Sequence, residues 1–168
     1  MVRRDRIHLV GVFEDRESAN RAVVRPGDIS LIIRGEIARW MIMNCPDGCG
    51  EILAINLDRR TGKAWYVTLH RGKLSIIPSI WLDSGCRSHF IIWNSRIWWC
   101  SSRLAPKSNK DSIRSSVLAT IRRHGPISHE SVSEKTRIDA AEVLEAIFTL
   151  VDEGKVHEIV DAGVFYAD

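Results

Sequence analysis

The sequence predicts an α+β chain: a zinc-stabilised, mainly antiparallel β-domain over residues 1–100, a linker over 101–111, and a C-terminal winged-helix domain over 112–168. Three observations lead there. Short β-branched and aromatic runs separated by Gly, Asn and Asp turns fill the first hundred residues. All four cysteines lie between positions 45 and 100. Beyond that stretch the apolar spacing changes from a strand period to a helical one.

Residues 6–13 alternate loosely and read as a strand. The polar segment 14–24 reads as a short helix, ended by Pro26-Gly27-Asp28. Short apolar runs follow at 29–33 and 40–43, and runs at 52–57 and 65–69 flank 58–63, which reads as a hairpin loop. Arg71-Gly72 makes a second turn before 74–77, and Asn94-Ser95 a third between 90–93 and 97–100. The stretch 101–111 is polar and aperiodic, the signature of a linker. Ile113, Val117, Leu118 and Ile121 then share a helical face, closed by Gly125-Pro126. A second helix covers 128–135. Asp139 and Glu142 form a capping-box pattern before the stripe Leu144, Ile147, Phe148 and Val151, which Gly154 ends. Runs at 155–160 and 164–166 around 161–163 complete a hairpin, so three helices and a hairpin give the winged-helix pattern.

Charge is uneven: residues 1–110 hold 18 Lys+Arg against 10 Asp+Glu, and residues 111–168 hold 6 against 11. DNA affinity rests largely on Lys and Arg at phosphates. The candidate recognition helix instead carries Asp139, Glu142, Glu145, Asp152 and Glu153 and no basic residue between Asp139 and Gly154. Nucleic acid is therefore disfavoured as a partner, although Arg103, Lys107, Lys110, Arg122 and Arg123 keep a DNA-binding regulator as an alternative. No apolar run reaches the roughly 18 residues of a membrane span, and 8–13 is too short for a secretory apolar core, so a cytoplasmic protein with no membrane partner is expected.

Four cysteines in a reducing compartment favour metal or catalysis over disulfides. Cys45-Pro-Asp-Gly-Cys49-Gly50 resembles a zinc knuckle, in which Pro and Gly supply a tight turn and leave N–H groups to steady the sulfurs. Three residues separate its cysteines, where the usual knuckle has two. Cys86 and Cys100 complete a four-cysteine zinc site as first choice. A two-residue turn at Asn94-Ser95 would instead place His89 opposite Cys100, making His89 a rival ligand to Cys86. Trp81, Trp93, Trp98 and Trp99 crowd the same segment, mostly as core, with Trp98 or Trp99 partly exposed because adjacent strand residues face opposite ways.

Ser79, Asp83, Ser84, Ser88 and His89 lie within eleven residues. A serine nucleophile needs a base within hydrogen-bond reach, oriented by a third group. Strand neighbours face opposite sides, so Ser88 and His89 pair only through a bulge, whereas Ser79 comes from another segment and meets His89 more naturally.

Cys45-Pro-Asp-Gly-Cys49-Gly, then Leu74-Ser-Ile-Ile-Pro-Ser-Ile80, then Cys86-Arg-Ser-His-Phe90 with Ile92 and Trp98-Trp99, resembles a bacterial family encoded beside Bub-type ubiquitin-like conjugation genes. The resemblance covers roughly residues 26–100. Many members carry a third knuckle cysteine where this chain has Asp47, a departure that passes the missing ligand to Cys100. The resemblance implies a serine peptidase that matures or removes the ubiquitin-like modifier, with that modifier and its E1- and E2-like enzymes as partners. It also implies Ser79, Ser88 and His89 as catalytic candidates, without choosing the attacking serine, and a structural Zn2+ on Cys45, Cys49, Cys86 and Cys100. A non-enzymatic zinc-binding adaptor and a zinc-dependent hydrolase stand as alternatives.

Overall fold

A computed structural model of the protein describes residues 3–100 and 107–168. It is an α+β structure whose chain divides into two compact units, Met1–Ser88 with Ile92–Ile97, and His89–Ile91 with Trp98–Asp168.

The first unit opens with strand β1 (His8–Phe13), helix α1 (Arg16–Ala22) and strand β2 (Asp28–Arg34). Asp15 starts α1 as its N-cap, its carboxylate accepting the Ser18 N–H at 2.8 Å. The helix returns the chain so that β1 and β2 pair parallel, an exception to the expected antiparallel order. Strands β3 (Ile37–Asn44) and β4 (Ile52–Asn56) add antiparallel neighbours, giving the order β1-β2-β3-β4. Ala19 and Val23 pack on Ile32 and Ile42, with Val10, Phe13 and Trp40 at the margin. The Ser30 hydroxyl donates to the Ala19 carbonyl at 3.0 Å and ties β2 to α1. Ile42 is 0 % exposed. Ile42→Ala removes buried methylenes and leaves a cavity, so it is expected to cost about 2–5 kcal/mol in urea unfolding.

Segment 58–63 does not close a hairpin. It forms a single 3₁₀ turn, Arg59–Thr61, and the flanking strands belong to different sheets. The reason lies in Asp58. Its buried carboxylate caps the Arg60 N–H, accepts two bonds from the Arg60 guanidinium at 2.8 and 2.9 Å, and pairs with Arg39 of β3. These bonds from Arg60, opposed by burial and helped by Arg39, hold the Asp58 carboxyl well below the usual range. A lowered pKa adds stability that is present above the unfolded value of about 3.9 and lost as pH falls further. Asp58→Asn is therefore expected to lower the urea midpoint at pH 7, and the gap from wild type should narrow progressively below about pH 4.

The second sheet has the order β5-β6-β7-β8, built from β5 (Tyr66–His70), β6 (Lys73–Trp81), β7 (His89–Trp93) and β8 (Arg96–Trp99). Its two tight turns fall where expected. Arg71 and Gly72 have φ of +49° and +74°, and Asn94 and Ser95 +51° and +62°, the paired positive values of a two-residue hairpin turn.

In the second unit, helices α2 (Lys107–His124), α3 (His129–Thr136) and α4 (Ala140–Asp152) precede an antiparallel hairpin of β9 (His157–Ile159) and β10 (Val164–Tyr166). Of the expected linker, 101–106 lie outside the described residues, and 107–111 are instead the start of α2. Nothing in 107–111 breaks a helix, so α2 extends backward from its periodic face. Ser128 and Asp139 cap α3 and α4, accepting the N–H groups of Ser131 and Ala141. Val117, Ile121, Val132, Leu144, Ile147 and Phe165 are buried, and Phe148 meets Phe165 edge to face at 6.2 Å. Gly125 turns α2 into the next segment so tightly that a Cβ there would lie 2.7 Å from the Ile121 carbonyl oxygen. Among the described residues no helix is long and apolar enough to cross a membrane.

Candidate functional site

Two groups of chemically capable side chains stand out, one in each unit. The first is the thiol group of Cys45, Cys49 and Cys86, whose sulfurs all lie within 4.8 Å of one another. Cys45 follows β3 and is 0 % exposed. Its turn is held by the Cys45 N–H donating to the Glu51 carbonyl at 2.8 Å and the Gly48 N–H donating back to the Cys45 carbonyl at 3.1 Å. Gly48 and Gly50 have φ near +84°, a conformation that favours glycine, which is why the knuckle needs them. Cys86 arrives on a second tight turn, in which the Arg87 N–H donates to the Ser84 carbonyl at 3.1 Å.

The Cys45 and Cys86 sulfurs are 3.7 Å apart. Zinc–thiolate bonds of about 2.3 Å in a tetrahedron set sulfurs about 3.8 Å apart, so this edge fits that metal. Burial pushes the Cys45 thiol well up, and its bonds to Cys49 and Cys86 add to the effect. Burial also works to raise Cys86, but the Ser88 hydroxyl and N–H and the other two thiols outweigh it and bring the group down. The two sulfurs lie in hydrogen-bond contact, so one thiol proton is held between them, and either sulfur can donate it. A bound cation would displace that proton. Asp47, inside the knuckle, is engaged by the Arg3 guanidinium at 2.9 Å.

The second group is His89, Cys100 and Glu145, whose donor atoms also lie within 4.8 Å of one another. Its backbone origin is the Asn94-Ser95 turn. That two-residue turn sets the register in which the Cys100 N–H donates to the His89 carbonyl at 3.0 Å. Cys100, expected as the fourth sulfur of the metal site, is thus placed with His89 and Glu145 and is not a member of the three-thiol group. Burial, reinforced by the carboxylates of Glu145, Asp139 and Glu142 and opposed by Lys110, pushes the Cys100 thiol up to about 12. Glu145 figured in the sequence only as part of an acidic helix face. No local spacing links α4 to β7, so only the fold reveals it.

The two serines differ. Ser88 is 1 % exposed, and its Oγ lies 3.1 Å from the Cys86 sulfur. Ser79, on β6, is half-buried, and its carbonyl accepts the Trp65 indole N–H at 3.2 Å, a bond that pins the backbone there. Among the tryptophans, Trp93 is core, Trp98 and Trp99 are half-buried, and Trp81 is 48 % exposed. In the second unit Trp99 meets Phe90 at 5.4 Å, and Trp98 meets His129 edge to face at 4.7 Å.

A separate cavity of about 290 Å³ in the first unit is lined by Arg16, Ile32, Arg34, Arg39, Trp40 and Asp58, and none of the candidate residues borders it.

No match was found among curated proteins or among solved structures. Residues 15–100, just over half of the chain, match the family described as bacterial ubiquitination-like system serine protease (BubE), and the chain belongs to that family.

Proposed function

We propose that this chain is a serine protease that processes or deconjugates the ubiquitin-like modifier of its pathway. Ser79 is its nucleophile, His89 its general base, and a structural zinc binds Cys45, Cys49 and Cys86. The family match carries the reading, because it names both the pathway and the serine chemistry. The choice of serine follows from surroundings. An attacking hydroxyl must reach a carbonyl carbon, and Ser88 is buried against a thiol that the zinc would use. Ser88 instead steadies the Cys86 thiolate by donating its hydroxyl proton, the outer hydrogen bond that metal ligands usually carry.

In the reaction, Ser79 Oγ bonds to the scissile carbonyl carbon as its proton passes to His89. Collapse of the tetrahedral intermediate breaks the bond to the leaving amine, which takes that proton from His89. Water then attacks the acyl carbon as its proton passes to His89, and the acyl–oxygen bond breaks as His89 returns that proton to Ser79 Oγ, releasing the carboxylic acid and free Ser79. When bound, the zinc supplies a crosslink between the knuckle turn and the turn before β7.

Residues 112–168 act as a winged-helix-like module joined to the zinc-bearing domain of residues 1–100. Their partner is protein, because the acidic face of α4 repels phosphates. The ubiquitin-like modifier and its E1- and E2-like enzymes are the partners to test. The compartment is the cytoplasm, where four free cysteines stay reduced.

The test combines the purified chain with the pathway's modifier extended by a short C-terminal tail, and separately with a fluorophosphonate probe. Removal of the tail and mass-spectrometric recovery of the probe on Ser79 are expected. An intact tail together with an unlabelled protein would overturn the proposal.

A further inference from the structure

We infer that Glu145 is the third member of the catalytic set, a positioning residue whose carboxylate orients His89 and stabilises its protonated form. The inference rests on the Ser79–His89 reading above. A general-base histidine works only when one ring nitrogen faces the nucleophile, and a carboxylate at the other nitrogen fixes that choice. Within the second unit, the Glu145 carboxylate lies within 4.8 Å of a His89 ring nitrogen. His89 is 6 % exposed, and the Glu145 side chain 29 % exposed. A charge this close in a partly dry setting acts strongly on an imidazolium. The position is also rigid. Glu145 sits in the middle of α4, between Leu144, Ala146 and Ile147, all buried.

Two other roles for the same atoms make different demands. Lys110 lies 3.6 Å from Glu145 Oε1, so the carboxylate serves partly as a surface ion pair. That role predicts that Lys110→Ala and Glu145→Gln behave alike. The His89, Cys100 and Glu145 donors also resemble a metal set. That role would occupy the imidazole lone pair that a general base needs.

Glu145 lies outside residues 15–100, the span of the family match.

The experiment follows fluorophosphonate modification of Ser79 in the full chain, where the Ser79 oxygen displaces fluoride from phosphorus and His89 takes the proton. The first-order rate at saturation and the half-saturating probe concentration are measured for wild type, Glu145→Gln, Glu145→Asp and Lys110→Ala, with thermal unfolding as a folding control. Glu145→Gln keeps shape but loses charge, and is expected to slow the saturated rate by about 10²–10³-fold, somewhat less than the effect of the analogous change in a protease triad. Half-saturation should move less than about threefold. Glu145→Asp should restore at least about tenfold of that loss, and Lys110→Ala should match wild type within about threefold. A Glu145→Gln rate equal to wild type, or Asp and Gln variants equally slow, overturns the inference while leaving Ser79 and His89 standing. A second equivalent of zinc in the wild type that Glu145→Gln abolishes also overturns it. A wild type that does not label at Ser79 overturns the Ser79–His89 reading, and the inference with it.

Discussion

Ser79→Ala is expected to reduce cleavage of a tailed ubiquitin-like modifier by about 10⁶-fold in kcat, whereas Ser88→Ala should stay within about tenfold of wild type. The asymmetry follows from what each hydroxyl touches. Removing a nucleophile deletes the covalent intermediate, and what remains is the catalysis due to binding and polarisation. Removing the Ser88 hydroxyl deletes a bond to the Cys86 sulfur. Its effect should appear in metal retention, as a loss of about 10–100-fold in zinc affinity under chelator competition. His89→Ala should match Ser79→Ala, and the double variant should be no worse than either, because the two act as one unit. Equal loss in both serine variants, at intact fold and metal content, would count against Ser79.

Cys45→Ser is the change expected to damage the fold most. Wild-type protein should carry one zinc per chain, and this variant none. Structural zinc in small peptides is worth roughly 10–16 kcal/mol, but here a sheet with its own core shares the task. A loss of about 3–5 kcal/mol in urea unfolding is the corresponding expectation, felt first at the knuckle and at the 84–88 turn. Strong chelators should do the same to wild type, and activity should fall in step with unfolding. If chelation stopped cleavage while circular dichroism and the unfolding midpoint stayed fixed, the zinc would be a catalytic Lewis acid and not a crosslink.

The helices of the second unit were legible because each carries its own punctuation. Asp139 stands at the N-cap that its capping-box pattern predicts, and Gly125 and Gly154 mark ends. The turns Arg71-Gly72 and Asn94-Ser95 were legible for the same local reason. Failures came where distant residues decide. The parallel pairing of β1 with β2 depends on α1 returning the chain. Segment 58–63 looks like a hairpin loop until Asp58 meets Arg39, 19 positions away. At the site, the knuckle announced Cys45 and Cys49 and drew in Cys86. The grouping of Cys100 with His89 and Glu145 comes from the register of β7 and β8 and from α4, which no local spacing displays.

The compact second unit reaches back to collect His89, Phe90 and Ile91 from the middle of the chain, whereas the family match ends at residue 100. The boundary that inheritance draws and the boundary that packing draws therefore differ. A chimera joined at residue 100 to a foreign C-terminal module would separate Phe90 and Ile91, both 0 % exposed, from the helices they group with. Gene fusions that exchange this module should be tolerated only when the newcomer brings a matching apolar face, so the two halves are constrained to change together.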